Sequence, residues 1–166
     1  MKKICGINDE VKSNIYKDWS EFYRGNIILD EDGWFEGYLS QVGYTYACFI
    51  FGIYHKEGIM ELYYCHGDEP LVFHGTITRK SFKGSFKHLG DDSKSDYEHR
   101  IILVKTTIGE VKMQEKLSVI KSKLKESHID FYNNIYNKRK ELNDILLSQL
   151  ESEMNGEDIK EKSFKK

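Results

Sequence analysis

The apolar positions change period along the chain. From Asn8 to Arg24, the residues Val11, Ile15, Trp19, Phe22 and Tyr23 fall at helical spacing, with Lys12, Lys17, Asp18 and Glu21 elsewhere on the wheel. Asn8 or Asp9 supplies a capping oxygen and Gly25 a stop, so a short amphipathic helix is expected to open the chain. Beyond the acidic turn Asp30–Gly33 the period becomes two. Runs at Trp34–Ser40, Tyr46–His55, Ile59–His66, Leu71–Thr78, Ser81–Leu89 and His99–Thr107 are separated by turn residues, among them Gly43, Lys56-Glu57-Gly58, Gly67-Asp68-Glu69-Pro70 and Arg79-Lys80. Links this short join antiparallel strands, because parallel strands need a crossover of about a dozen residues or more.

Glycine recurs inside these runs beside aromatic residues: Gly37 after Trp34 and Phe35, Gly52 after Phe51, Gly75 after Phe73, and Gly84 between Phe82 and Phe86. Glycine weakens a flat strand and marks bends or close approaches, so its recurrence predicts a strongly curled sheet or a small barrel. A flatter sheet covered by a helix is the alternative.

From Glu110 to Met154 the pattern changes again. Lysine and glutamate dominate, proline and glycine are absent, and Leu117, Ile120, Leu124, Phe131, Ile135, Leu142, Ile145 or Leu146, and Leu150 recur at heptad-like intervals. An unbroken helix of this length would reach about 65 Å, so it must project, fold back or pair. A break is expected near Ser127-His128 or Asn133–Asn137, where helix propensity is lowest. The residues after Asn155 alternate charges with little apolar content and are expected to be disordered. The expected fold is therefore α+β: an N-terminal helix, an antiparallel curled sheet or small β-barrel of about six strands, and a long C-terminal helix or helical hairpin. Residues 1–109 form the helix-plus-sheet domain, 110–154 the helical extension and 155–166 the tail.

Composition narrows the function classes. With 166 residues, 39% hydrophobic and 31% charged, the chain is long enough for one domain with a real core. A net charge of −2 provides no global field for nucleic acid or an anionic bilayer. Cys5, Cys48 and Cys65 are odd in number and lack C-x-x-C spacing, which points to reduced thiols rather than a disulfide framework or zinc knuckle. The amino terminus has no apolar signal-peptide core, and the longest apolar run, Ala47–Ile53, falls far short of the roughly 18–20 residues of a membrane span. A cytoplasmic protein without membrane partners is expected. Lysine outnumbers arginine 21 to 4, a bias of AT-rich bacterial or phage genomes.

Candidate chemistry is sparse. There is no G-x-S-x-G, P-loop, G-x-G-x-x-G or H-E-x-x-H motif, so no catalytic residue is assigned and no cofactor is called for. Whether the chain is an enzyme stays open, leaning against it. Strand alternation sets Trp34, Glu36 and Tyr38 on one face of their run, and Glu61, Tyr63 and Cys65 on one face of theirs. Glu36 and Glu61 either point inward among aromatics, where a carboxylate needs a partner, or face water. His55, His66, His74, His88 and His99 match no metal-ligand spacing, and no metal site is assigned. His74, between Phe73 and Gly75, is the histidine most in need of a partner. The stretch Arg79–Lys87 interleaves cations with aromatics, as single-strand binders do, but reads better as a solvated edge, so nucleic acid is not expected.

The series Asp32-Gly33-Trp34-Phe35-Glu36-Gly37, Phe51-Gly52-Ile53-Tyr54, Phe73-His74-Gly75 and Phe82-Lys83-Gly84-Ser85-Phe86 resembles the calycin group of lipocalin-like and avidin-like barrels over about Asp32–Thr107. The resemblance implies a small β-barrel whose mouth binds a small molecule, with Trp34 at the closed floor. The C-terminal helix departs from that pattern.

Two functions are carried forward. The first is a non-enzymatic binding protein with an aromatic-lined pocket for a small polar or aromatic ligand, nucleotide-like ones included, using Glu36, Tyr38, Phe51, Tyr54, Glu61, Tyr63 and His74. The second is an interaction module, an inhibitor or adaptor of phage or mobile-element type. It would dock a protein partner or a second copy through Leu117, Leu124, Phe131, Ile135 and Leu142 as a coiled-coil-like helix.

Overall fold

A computed structural model describes the backbone of residues 2–13, 15–55, 59–66, 69–77, 82–88, 97–148 and 151, and the side chains of these except 55, 59, 60, 66, 69–77, 82–88 and 97. Eight strands follow one another: β1 (Lys3–Ser13), β2 (Ser20–Leu29), β3 (Trp34–Gln41), β4 (Ala47–His55), β5 (Ile59–His66), β6 (Glu69–Ile77), β7 (Phe82–His88) and β8 (Tyr97–Val104). Each pairs antiparallel with the next, and β1 pairs with β8, so the sheet closes into an up-and-down barrel. Closure removes the open edges that a curled sheet would leave. Two helices follow, α1 (Glu110–Ser122) and α2 (Glu126–Asn137), and residues 139–148 are helical again.

The expected N-terminal helix is absent. Its residues form β1, the turn after it and β2, and the six expected runs are β3 to β8. The physical reason lies at Asp9. Cys5, Ile7, Asp9 and Val11 alternate inward and are buried, but the polar Asp9 interrupts the apolar alternation and leaves a helix-like spacing in its place. Two residues that define that spacing, Ile15 and Trp19, lie in the β1–β2 connection at 59% and 36% exposure. The helical extension is broken twice, at Lys123–Lys125, just before Ser127-His128, and at Lys138, directly after Asn133–Asn137; the amides of Lys123 and Lys138 bond back to Ile120 and Ile135. The expected disordered tail, 155–166, and Leu150 lie outside the described residues.

Two apolar layers result. Inward residues of the barrel, including Ile7, Ile27, Phe35, Leu39, Ile50 and Leu62, pack its interior with essentially no exposure. The outward faces of β3, β4 and β5 are apolar as well, and the helices cover them: Trp34, Phe49, Phe51, Ile53 and Tyr63 meet Met113 and Leu117 of α1 and Phe131, Tyr132, Ile135 and Tyr136 of α2. A strand buried on both faces reads as a continuous apolar run, which is why β4 lacks a polar side.

Curvature needs close strand approach at inward glycines, Gly52 and Gly37 among them. A Cβ at Gly52 would sit 1.9 Å from the carbonyl oxygen of Glu61, and one at Gly37 would sit 2.1 Å from that of Asn26. Only glycine fits at those points.

Candidate functional site

The aromatic face expected to bind a ligand is an internal seam. Tyr132 meets Phe51 edge-on at 5.1 Å between ring centroids, Tyr63 stacks on Phe51 at 5.3 Å, and Tyr136 meets Trp34 edge-on at 5.3 Å. Trp34, which the calycin resemblance sets at the barrel floor, lies on the outside of the wall under α2. Glu36 is the polar centre of this seam. It accepts bonds from Trp34 Nε1 at 2.9 Å and from the Tyr132 hydroxyl, and pairs with Lys121 of α1. Burial raises its carboxyl, but the bonds from Lys121, Trp34 and Tyr132 outweigh that and hold it below the ordinary glutamate value.

The structure thus brings Glu36, Tyr38, Phe51, Glu61 and Tyr63 onto the outward face of adjacent strands. Tyr63 donates to Glu61, and Tyr38 accepts from Asn26 Nδ2 at 2.7 Å with the Lys116 ammonium 4.5 Å above its ring. Tyr54 lies apart, packed against the interior layer. The backbone of His74 pairs with Glu61 and Ser85, and its side chain lies outside the described residues. So do the side chains of His55, His66 and His88 and those of the Arg79–Lys87 stretch. Leu117, Leu124, Phe131, Ile135 and Leu142 all pack on the barrel's outer wall.

Space for a small molecule opens beside this seam. A half-open cleft of about 580 Å³ lies between the start of β4 and the corner joining α1 to α2. Its apolar lining includes Ala47, Phe49, Ile120 and Leu124, and Tyr46 stands at its rim, 64% exposed. Among the described residues its polar lining carries Lys112, Lys116, Lys123, Lys125 and the carboxylate of Glu115. His128 completes it. The side chain is only 4% exposed, and its Nε2 is enclosed with no hydrogen-bond partner. Burial and the neighbouring Lys125 lower its pKa, so the imidazole is neutral at pH 7. Cys65 of the outward layer also lines the cleft, and Cys48 borders it while its side chain packs with the interior layer. Burial pushes Cys65 up to about 12 and also raises Cys48 despite bonds from Tyr64 and Tyr46, so both stay protonated and are poor nucleophiles.

Inside the barrel lies a second polar group that sequence reasoning did not single out. Asp9, 2% exposed, sits 2.8 Å from His99 Nδ1 through Oδ2, and its Oδ1 is buried without a partner. Burial raises its carboxyl even though the bond and charge of His99 pull it down. Its parity with Ile7 and Val11 was the available signal. His128 was read only as a place where the helix breaks and the cleft lysines only as part of a polar helix, because nothing in a helical wheel shows which turn meets β4. Among the described residues no three His, Cys, Asp or Glu side chains gather into a metal site, and no helix is long and apolar enough to cross a membrane.

In comparisons with known proteins, no family model, no curated protein and no solved structure matches this chain.

Proposed function

We propose that this chain is a non-enzymatic binding protein that takes a small polar or aromatic molecule into the cleft between β4 and the α1–α2 corner. The observation that carries this reading is the lining: apolar side chains and a cationic rim around a volume in the usual range of ligand pockets. The protonated thiols favour binding over covalent chemistry. We also read the barrel as calycin-like in architecture, supported by its up-and-down order and its closure of β1 on β8. The difference from that group is the position of the site, since Phe35, Leu39, Ile50 and Leu62 pack the barrel interior. Docking of a protein partner through the helices has less support, because the apolar residues invoked for it already cover the barrel wall.

Thermal-shift screening of the purified full chain against nucleotides, sugars and aromatic acids tests the reading, with Val119→Trp as control. Val119 lines the cleft and is 54% exposed, so tryptophan there obstructs the cleft without entering the core. A ligand at about 100 times its Kd adds about 2.7 kcal/mol of stability, roughly 5–10 °C for a domain of this size. The expected result is a shift of several degrees that Val119→Trp abolishes. Absence of any stabilising ligand, or equal shifts in the variant, refutes the reading.

A further inference from the structure

One rim of the barrel keeps apolar side chains in water. In an up-and-down barrel alternate connections leave from the same end, so the β1–β2 and β3–β4 connections are neighbours across β2, where the Val42 amide donates to the Phe22 carbonyl at 2.8 Å. Among the described residues, half of the large apolar side chains that stay exposed gather here: Ile15 and Tyr16 in the first connection, Phe22 at the start of β2, and Val42, Tyr44 and Tyr46 in the second, each 50–70% exposed. Such residues scattered singly are ordinary, whereas a contiguous group marks a contact surface. Both connections are held in fixed turns. The Ser13 hydroxyl accepts from the amides of Ile15 and Tyr16, the Gln41 carbonyl accepts from the Tyr44 amide, and Gly43 takes the positive φ of its turn. A surface already ordered loses less entropy when it is covered.

We propose that this rim is the interface of a two-fold dimer, with a second copy of the chain as its occupant. Area, hydrogen bonding and charge each favour a copy. At about 150–250 Å² per aromatic side chain, Tyr16, Phe22, Tyr44 and Tyr46 leave about 500 Å² in water at their observed exposures, and Ile15 and Val42 bring the rim to about 700 Å². That exceeds the roughly 300–600 Å² of the largest apolar patch on an ordinary monomer and approaches the ~800 Å² per partner of a standard interface. A two-fold contact sets one surface against itself, so its groups must satisfy their own kind. Tyrosine hydroxyls do so, because each both donates and accepts. The charges at the rim are mixed. Lys17 and Asp18 share the turn beside Tyr16, and Glu10, the register partner of Phe22, pairs with Lys12 at 3.5 Å. No field of one sign therefore repels a copy or draws a polyanion. A lipid surface fits less well, since Asp18 would have to enter the bilayer boundary with the aromatic residues. The dimer leaves the helices on the barrel wall and is independent of the cleft reading; of the six rim residues only Tyr46 also lines the cleft.

The test is sedimentation equilibrium of the full chain. Expected is a mass rising from 19.5 kDa toward twice that value as the protein is concentrated from about 1 to 500 µM, the range in which an interface of this size associates. Two variants place like charges on the rim, Phe22→Lys/Tyr44→Lys and Phe22→Glu/Tyr44→Glu, with circular dichroism and thermal melts to confirm folding. Each alone is expected to weaken association at least about tenfold. Mixed together they are expected to recover dimers of one copy of each, because a two-fold contact sets the lysines of one against the glutamates of the other. Val111→Lys, at an exposed position on α1, is expected to leave association unchanged. A mass fixed at 19.5 kDa throughout overturns the dimer, and cosedimentation of that monomer with phosphatidylcholine vesicles gives the rim to a lipid surface instead. Association that survives both charge variants, or that Val111→Lys removes equally, overturns the assignment to this rim. Failure of the mixture to associate overturns the two-fold arrangement.

Discussion

Glu36 is the joint between the barrel and both helices, and its removal has a calculable cost. Glu36→Ala takes the acceptor away from Trp34 Nε1, whose residue is 3% exposed, and from the hydroxyl of the half-buried Tyr132. Each buried donor left without a partner costs about 1–3 kcal/mol. The third partner, Lys121, has a side chain 37% exposed and returns to water, so its share is discounted to at most about 1 kcal/mol. Relief of the carboxylate's own desolvation offsets part of the sum, leaving an expected loss of about 2–4 kcal/mol. Tyr132→Phe removes one donor and leaves the carboxylate two partners, at a cost of about 1 kcal/mol. The two substitutions share one bond, so the double variant is expected to fall short of additivity by about 1 kcal/mol.

The assay is urea unfolding followed by far-ultraviolet circular dichroism. Its pH dependence gives a second reading. The folded Glu36 carboxyl lies below its ordinary value of 4.5, so its contribution is complete above that pH and is lost as pH falls through the lower folded value. The gap between wild type and Glu36→Gln therefore narrows on acidification below about 4.5. A Glu36→Ala loss under about 0.5 kcal/mol, or full additivity with Tyr132→Phe, refutes the joint.

Two further expectations concern the barrel. Gly52→Ala drives a methyl group into the Glu61 carbonyl, which belongs to the paired strand's backbone and moves only with the sheet, so a loss above about 3 kcal/mol is expected in urea melts. Gly43→Ala has open space around it but a φ of +95°, and is expected to cost only about 1–2 kcal/mol; reversal of that order refutes the close-approach account. Asp9 behaves oppositely to Glu36. Its folded carboxyl is raised above 3.8, so the protonated form is the better folded one, and stability is lost as pH rises from 3.8 through the higher folded value. Asp9→Asn removes the charge, keeps an acceptor for His99, and is expected to match or exceed wild type by about 1 kcal/mol at pH 7, the advantage vanishing at pH 3; a clear loss at pH 7 marks the Asp9–His99 contact as a stabilising ion pair instead.

Much of the barrel is visible in local pattern. The period-two runs from Trp34 onward are the strands β3 to β8, and the short turn-rich links between them are antiparallel connections, because alternation and turn chemistry are properties of a few consecutive residues. The recurrence of glycine next to Phe35 and Phe51 likewise reflects a local demand, the close passage of a neighbouring backbone at Gly37 and Gly52. The helical character of α1 and α2 is equally local. Pattern failed at the amino terminus for a reason of the same kind. An inward aspartate broke the alternation of β1, and only its partner His99, ninety residues away on β8, makes that position tolerable in a barrel interior.

The sequence by itself determined the element types from Trp34 onward, the aromatic density of the sheet and the polarity of the helices. Tertiary structure alone decided which apolar face belongs to whom. Tyr38, Phe51 and Tyr63 look like a pocket in a strand read alone, and Leu117 and Phe131 look like a docking stripe in a helix read alone; each is the other's partner. Hydrophobic burial is non-directional, so a sequence records that a surface must be covered and not what covers it. The same packing makes the cleft: lysines spread along a solvated helix border one space with His128 only because the turn at Lys123–Lys125 brings them to the edge of β4.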